Sequence, residues 1–153
     1  MSVTTHPLTA EALFTISSTL GRAELIDGEL VRMRPAGFEH GSITLKLVWP
    51  IARYVEEHQL GIVCAAETGF LLKRNPDTVR AFVSPNDTSS EVQAKALAWI
   101  EAGCRVVWIV DPKLKHVTEF RSETLIRVFT VKDRLAASEI FGDWSIEVGK
   151  LFQ

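Results

Sequence analysis

The sequence predicts an α/β or α+β fold: a mixed β-sheet flanked by helices and preceded by a β-hairpin. Three observations predict it. Asp27-Gly28 stands between two short runs of strand character in "AELIDGELVRM", and Asp-Gly in that setting is the strongest short hairpin signal. Apolar residues recur at helical spacing between Phe38 and His58. Runs rich in β-branched residues, "CRVVWIVD" foremost, follow in the second half of the chain. Helices and strands in this order bury their apolar faces against one another in layers.

The elements follow in chain order. Thr9 is suited to cap a helix over "AEALFTISSTLG", with Glu11 in its first turn and Gly21 at its stop. The hairpin comes next. From Phe38 to His58, Ile43, Leu47, Ile51, Tyr54 and Val55 mark the inner face of a long helix ended by Gly61. Pro50 lies inside it, removes a backbone hydrogen bond, and is expected to kink or divide the helix near Trp49. "GIVCAAETGFLLK" reads as a strand, and "CRVVWIVD" as a buried strand broken by Asp111-Pro112. Between them Thr88 starts a helix that runs through Trp99 and Ile100 to Gly103. "HVTEFR", "TLIRVFT" and "WSIEVGKLF" supply three further short strands.

With 153 residues, 46% of them apolar, the chain can build one ordinary core, and residues 1–153 are expected to form a single domain without repeat or linker. Seventeen Lys and Arg against nineteen Asp and Glu give a net charge of −2, so no global basic field announces a nucleic-acid partner and any DNA site must be local. No apolar stretch approaches the roughly 20 residues that span a bilayer, and the N-terminus lacks a secretory pattern, so a soluble, cytoplasmic protein without membrane contact is expected. Cys64 and Cys104 lack partners at zinc spacing and read as small core residues of a reduced compartment. Trp49, Trp99, Trp108 and Trp144 sit in apolar contexts and read as core too.

The blocks "AELIDGELVRMRPAGFEHGSITLKL", "YVEEHQLG", "ETGFLLKRNPDTVRA", "VSPNDTSSEVQAKALAWIEAG", "VVWIVDPKLKHV" and the closing "LF" resemble, in this order, the bacterial restriction endonuclease family of the Uma-two type, a branch of the PD-(D/E)XK nuclease superfamily. The resemblance covers nearly the whole chain. It implies a restriction-endonuclease-like core and a Mg²⁺-dependent (or Mn²⁺-dependent) DNA endonuclease. It also implies a homodimer, because cutting two strands needs two sites. In such an enzyme an Asp at the start of one strand and a Glu on the next hold the metal, and a nearby Lys orients or activates the attacking water. Hard cations take carboxylate and water oxygens and offset the charge that builds on the phosphate, while Lys adds a point charge there.

This sequence departs from that pattern at one place. In the family, the phrase resembling "NPDTVRA" runs into a Pro-Asp-Val strand, and a second strand brings a Glu just before the phrase resembling "VSPND". Here Ala81 is followed at once by Phe82-Val83-Ser84-Pro85, so the expected metal-binding Asp and Glu are absent, with an apparent missing segment between residues 81 and 82. Two explanations stay open: the segment belongs to the molecule and the numbering closes over it, or it is deleted. Deletion gives the alternative function, a non-catalytic nuclease-fold scaffold or interaction module.

Among the residues present, Lys95 stands where the resemblance implies the active-site lysine, moved onto the helix after "SPND". From the residues alone it would be half of an exposed ion pair with Glu91, worth about 0.3–0.5 kcal/mol. His40 matches the family's "EH" phrase and is a candidate to bind a phosphate or hold a water; a solvated His in the first turn is the plain alternative. Glu67, an acid inside an apolar run, is the candidate catalytic and metal residue, or else faces water from one side of the sheet. Ser84, Asn86, Asp87 and Thr88 suit a turn and helix cap, whose N-terminus could receive a phosphate. Lys73, Arg74 and Arg80 lie on the expected loop leading to the gap and are candidates to contact the DNA backbone.

Overall fold

Asp27 and Gly28 adopt φ angles of 50° and 81°, the left-handed pair that turns one strand back onto the next with matching twist. In this computed structural model residues 7–33, 37–65, 68–81 and 89–153 are described. The chain forms two compact units, Met1–Pro35 with Ala65–Asn86 and Ala36–Cys64 with Asp87–Gln153.

In the first unit, α1 (Ala10–Leu20) begins at Thr9, whose hydroxyl accepts from the Ala12 N–H at 3.2 Å, and stops at Gly21 with φ 72°. The hairpin strands β1 (Ala23–Ile26) and β2 (Glu29–Arg32) follow the turn, and β3 (Phe70–Lys73) and β4 (Thr78–Arg80) complete an antiparallel sheet in the order β2-β1-β4-β3. Gly28 permits a close approach as well as a turn: a Cβ there would lie 2.3 Å from Cβ of Pro7. The Gly28 N–H donates to the Asp77 carbonyl at 2.7 Å, and its own carbonyl accepts from Leu8 at 2.9 Å. Asp77 is buried, and its carboxylate accepts from the Ala10 N–H at 2.8 Å, at the positive end of α1. That backbone hydrogen bond, with help from Arg74, holds the Asp77 carboxyl below its ordinary range.

In the second unit, α2 (Phe38–Glu57) runs unbroken through Pro50. The expected division near Trp49 does not occur: Ile43 and Val55 are buried on either side of the proline, and Leu47 packs on the core. The helix α3 (Ser89–Glu101) precedes a three-strand antiparallel meander of β5 (Val107–Asp111), β6 (His116–Phe120) and β7 (Ile126–Thr130). A short β8 (Arg134–Ala136) pairs antiparallel with β9 (Ser145–Glu147), enclosing α4 (Ser138–Phe141), and a 3-10 helix covers Val148–Phe152. The core is Val117, Leu135, Val148 and Leu151, all fully buried, with Trp108, Val110, Phe129 and Ile146 packed against it. Trp108, Phe141 and Trp144 form an aromatic cluster with ring centroids 5.7–6.3 Å apart. At its edge lies Glu119, 1% exposed, which accepts from Trp108 Nε1 at 2.9 Å and from Arg121 Nε at 2.7 Å.

Helices flanking antiparallel sheets are thus the observed architecture, and every strand pairing among the described residues is antiparallel. Four local expectations change. The run "GIVCAAETGFLLK" gives a strand only from Phe70, while residues 61–65 pair with no strand among the described residues. Cys64 is therefore exposed instead of core. Trp49 is 67% exposed, because it points away from the face of α2 that carries Ile43 and Leu47. The strand β5, expected to be buried, is half-buried throughout.

Candidate functional site

Lys95 lies in the middle of α3 and is 2% exposed, among the most deeply buried large side chains of the described chain. Ala96 beside it is fully buried, so this turn of α3 faces inward. Glu91, one turn earlier on the same helix, is exposed. Taking an ammonium out of water is unfavourable unless charge and hydrogen bonds compensate it, which makes a buried lysine a candidate functional residue.

The other expected residues fall in different places. His40 is the third residue of α2 and is half-buried, with Glu39 exposed beside it at the helix N-terminus. Glu67, Ser84, Asn86, Asp87 and Thr88 lie outside the described residues. Lys73 and Arg80 close strands β3 and β4, and Arg74 opens the turn between them, so these cations sit on a hairpin and not on a loop. Each meets a carboxylate of the same unit. Lys73 reaches Asp27 at 2.8 Å, and Arg74 reaches Glu11 at 2.8 Å and Asp77 at 3.1 Å. The lysine hydrogen bond lowers the Asp27 carboxyl, while backbone hydrogen bonding and then Arg74 lower that of Glu11.

Arg80 leads to a residue that sequence reasoning passed over. Glu24, in β1, is 2% exposed. Its Oε1 accepts from the Ala81 N–H at 2.8 Å, and Arg80 Nη1 lies 3.8 Å from Oε2. The Arg80 side chain is 14% exposed, and its buried Nε meets no hydrogen-bond acceptor among the described residues. Glu24 therefore holds the chain at Ala81. The signal that singled out Glu67, an acid within an apolar run, also marks Glu24 in "AELI", where it was read as hairpin alone.

A divalent cation needs several carboxylate or carbonyl oxygens converging on one point. Among the described residues no three His, Cys, Asp or Glu side chains come together in that way. Glu24 faces a guanidinium and an amide N–H, Asp77 caps α1 and pairs with Arg74, and Asp27 is engaged by Lys73. Among the described residues these carboxylates by themselves do not form a Mg²⁺ site. Also among the described residues, no helix is long and apolar enough to cross a membrane.

No curated protein matches the chain. Among solved structures it is similar to that of a "putative nuclease" from Anabaena variabilis, with a TM-score of 0.72 and 16% identity over 95% of this chain and 98% of the other. At that identity the likeness speaks for the fold alone. The profile of the family described as "Putative restriction endonuclease", Uma2, matches residues 10–81 and 71–149. Those two stretches take in most of the chain, and the protein belongs to the Uma2 restriction endonuclease family.

Proposed function

We propose that this protein is a DNA endonuclease that hydrolyses phosphodiester bonds with a metal-activated water, dependent on Mg²⁺ or Mn²⁺ and working as a cytoplasmic homodimer. The observation that carries the reading is the burial of Lys95 on α3, at the position where the family pattern has its active-site lysine. In this reading the Lys95 ammonium neutralises charge that develops on the phosphate, and His40 orients a phosphate oxygen or a water. The metal ligands are then acids beyond those described in place, Glu67 among them. Lys73 and Arg74, with side chains 57% and 52% exposed, can exchange a carboxylate for a backbone phosphate. Arg80 is mostly buried, so a phosphate contact from it requires release from Glu24.

Cleavage of supercoiled DNA in Mg²⁺ or Mn²⁺ tests the reading. Lys95→Ala is expected to lower the rate by about 100-fold or more, the usual loss when one charge-stabilising group is removed, with an unchanged circular dichroism spectrum. Cleavage at the wild-type rate by that variant would remove Lys95 from the site.

A second reading is favoured by a specific observation: Glu24 already has a guanidinium beside it. In that reading the chain is a non-catalytic nuclease-fold scaffold or interaction module. Manganese binding followed by electron paramagnetic resonance separates the two. The nuclease gives saturable binding that weakens at low pH, and the scaffold gives none.

A further inference from the structure

The helix α2 is apolar on two faces, and only one of them is covered. At 3.6 residues per turn, Phe38, Leu45, Trp49, Ala52 and Glu56 fall within about 60° of one another, on the side opposite Ile43 and Leu47. Phe38 is 92% exposed, Leu45 62% and Trp49 67%. The segment after the helix extends the patch with Ile62, 91% exposed, and Leu60, 49% exposed. Beside the stripe lies an open groove of about 540 Å³ lined by Ala52, Val55, Glu56, Gln59, Ile62 and Val63. All of these residues belong to the second unit.

We infer that this face of α2 is the surface on which a second copy of the chain docks, antiparallel, with the two-fold axis beside Ala52. A symmetric pair needs projection and recess on one patch, because each copy presents the same surface. This patch has both: Trp49 projects about one and a half turns before the middle of the groove. An axis between Ala52 and Arg53 sets Trp49 of each copy opposite Glu56 of the other, at the groove, and Leu45 opposite Leu60. Ala52 on the axis lets the two backbones approach closely. The area also suffices: Leu45, Trp49, Leu60 and Ile62, exposing roughly 100–200 Å² each, give on the order of 500 Å² per copy, which makes up the ~1,000 Å² in total that a specific interface needs. The inference gives the proposed homodimer a surface, and its test reads mass and not cleavage, so it can fail while the nuclease reading stands.

The test is light scattering coupled to size exclusion across a dilution series of the full chain. The expected result is a species of twice the 17.1 kDa chain mass. Trp49→Glu and, separately, Leu45→Lys are expected to shift it to one chain mass with the circular dichroism spectrum unchanged, since both side chains are mostly exposed. Ala52→Cys in a Cys64→Ser background is expected to give a disulfide-linked dimer on mild oxidation. A wild-type chain that is monomeric at every concentration overturns the inference, and so does a dimer that both charged variants leave intact.

Discussion

Among the described residues two glutamates are buried beside an arginine, one in each unit, and their surroundings differ. Glu119 is 1% exposed and fully engaged: Arg121 gives it Nε at 2.7 Å and Nη2 at 3.2 Å, and Trp108 Nε1 donates at 2.9 Å. Arg121 is held in turn by Glu139, and these hydrogen bonds raise its already high pKa. Glu24 is 2% exposed, yet its arginine stands 3.8 Å away with a buried Nε that meets no acceptor among the described residues. The first arrangement is what a carboxylate kept for structure looks like, with planar two-point pairing and an indole as third donor. The second leaves Arg80 short of that geometry. Proteins tolerate such imperfect satisfaction where a group serves a purpose other than stability, and here it occurs where the chain reaches Ala81.

Removing each carboxylate should expose this difference. Glu119→Ala leaves the Trp108 N–H without its acceptor and Arg121 with Glu139 alone. The expected loss is about 3 kcal/mol in urea denaturation, the low end for breaking a buried pair because Arg121 is 20% exposed. Adding Arg121→Met should return much of it, since replacing both partners with apolar groups removes the unpaired charge. A loss below about 1 kcal/mol for Glu119→Ala would contradict the structural role. Glu24→Gln is expected to cost about 1 kcal/mol or less, because the amide oxygen still accepts from Ala81 and the guanidinium was never well paired. If it costs as much as Glu119→Ala, Glu24 is a structural residue like its counterpart.

The same contrast explains what could be read in the sequence. The Thr9 cap, the Asp27-Gly28 turn and the long helix from Phe38 were legible because each depends on local chemistry: a side-chain acceptor, a left-handed pair, a 3.6-residue repeat. Pro50 does not divide the helix, because side chains on both sides of it are buried. Trp49 and Cys64 misled because an apolar residue carries no information about which of two faces will be covered. Lys95 stood out only through the order of family blocks, since its spacing from Glu91 is that of any surface pair. Glu24 was hidden by the hairpin itself: a four-residue strand whose two middle residues, Glu24 and Leu25, are both buried gives no alternation to read.

The smallest expected effect concerns acid, and it probes the sheet that holds Glu24 without touching that residue. Asp77 caps α1 through the Ala10 N–H, and its carboxyl is held below the ordinary 3.8 by that bond and by Arg74. A carboxyl lowered by folding contributes stability that is fully present above its unfolded value and disappears as pH falls through the folded one. Unfolding stability should therefore decline as pH falls below about 4, with Asp77 contributing to the slope. Asp77→Asn keeps an oxygen for the Ala10 N–H, because Asn caps helices as well as Asp, and removes only the charge seen by Arg74 and the helix end. The variant should be slightly less stable than wild type at neutral pH and converge with it in acid. Parallel pH profiles with a constant offset would mean that Asp77 acts here by shape alone, and that the carboxylates around Glu24 are less tightly tied to their cations than the distances imply.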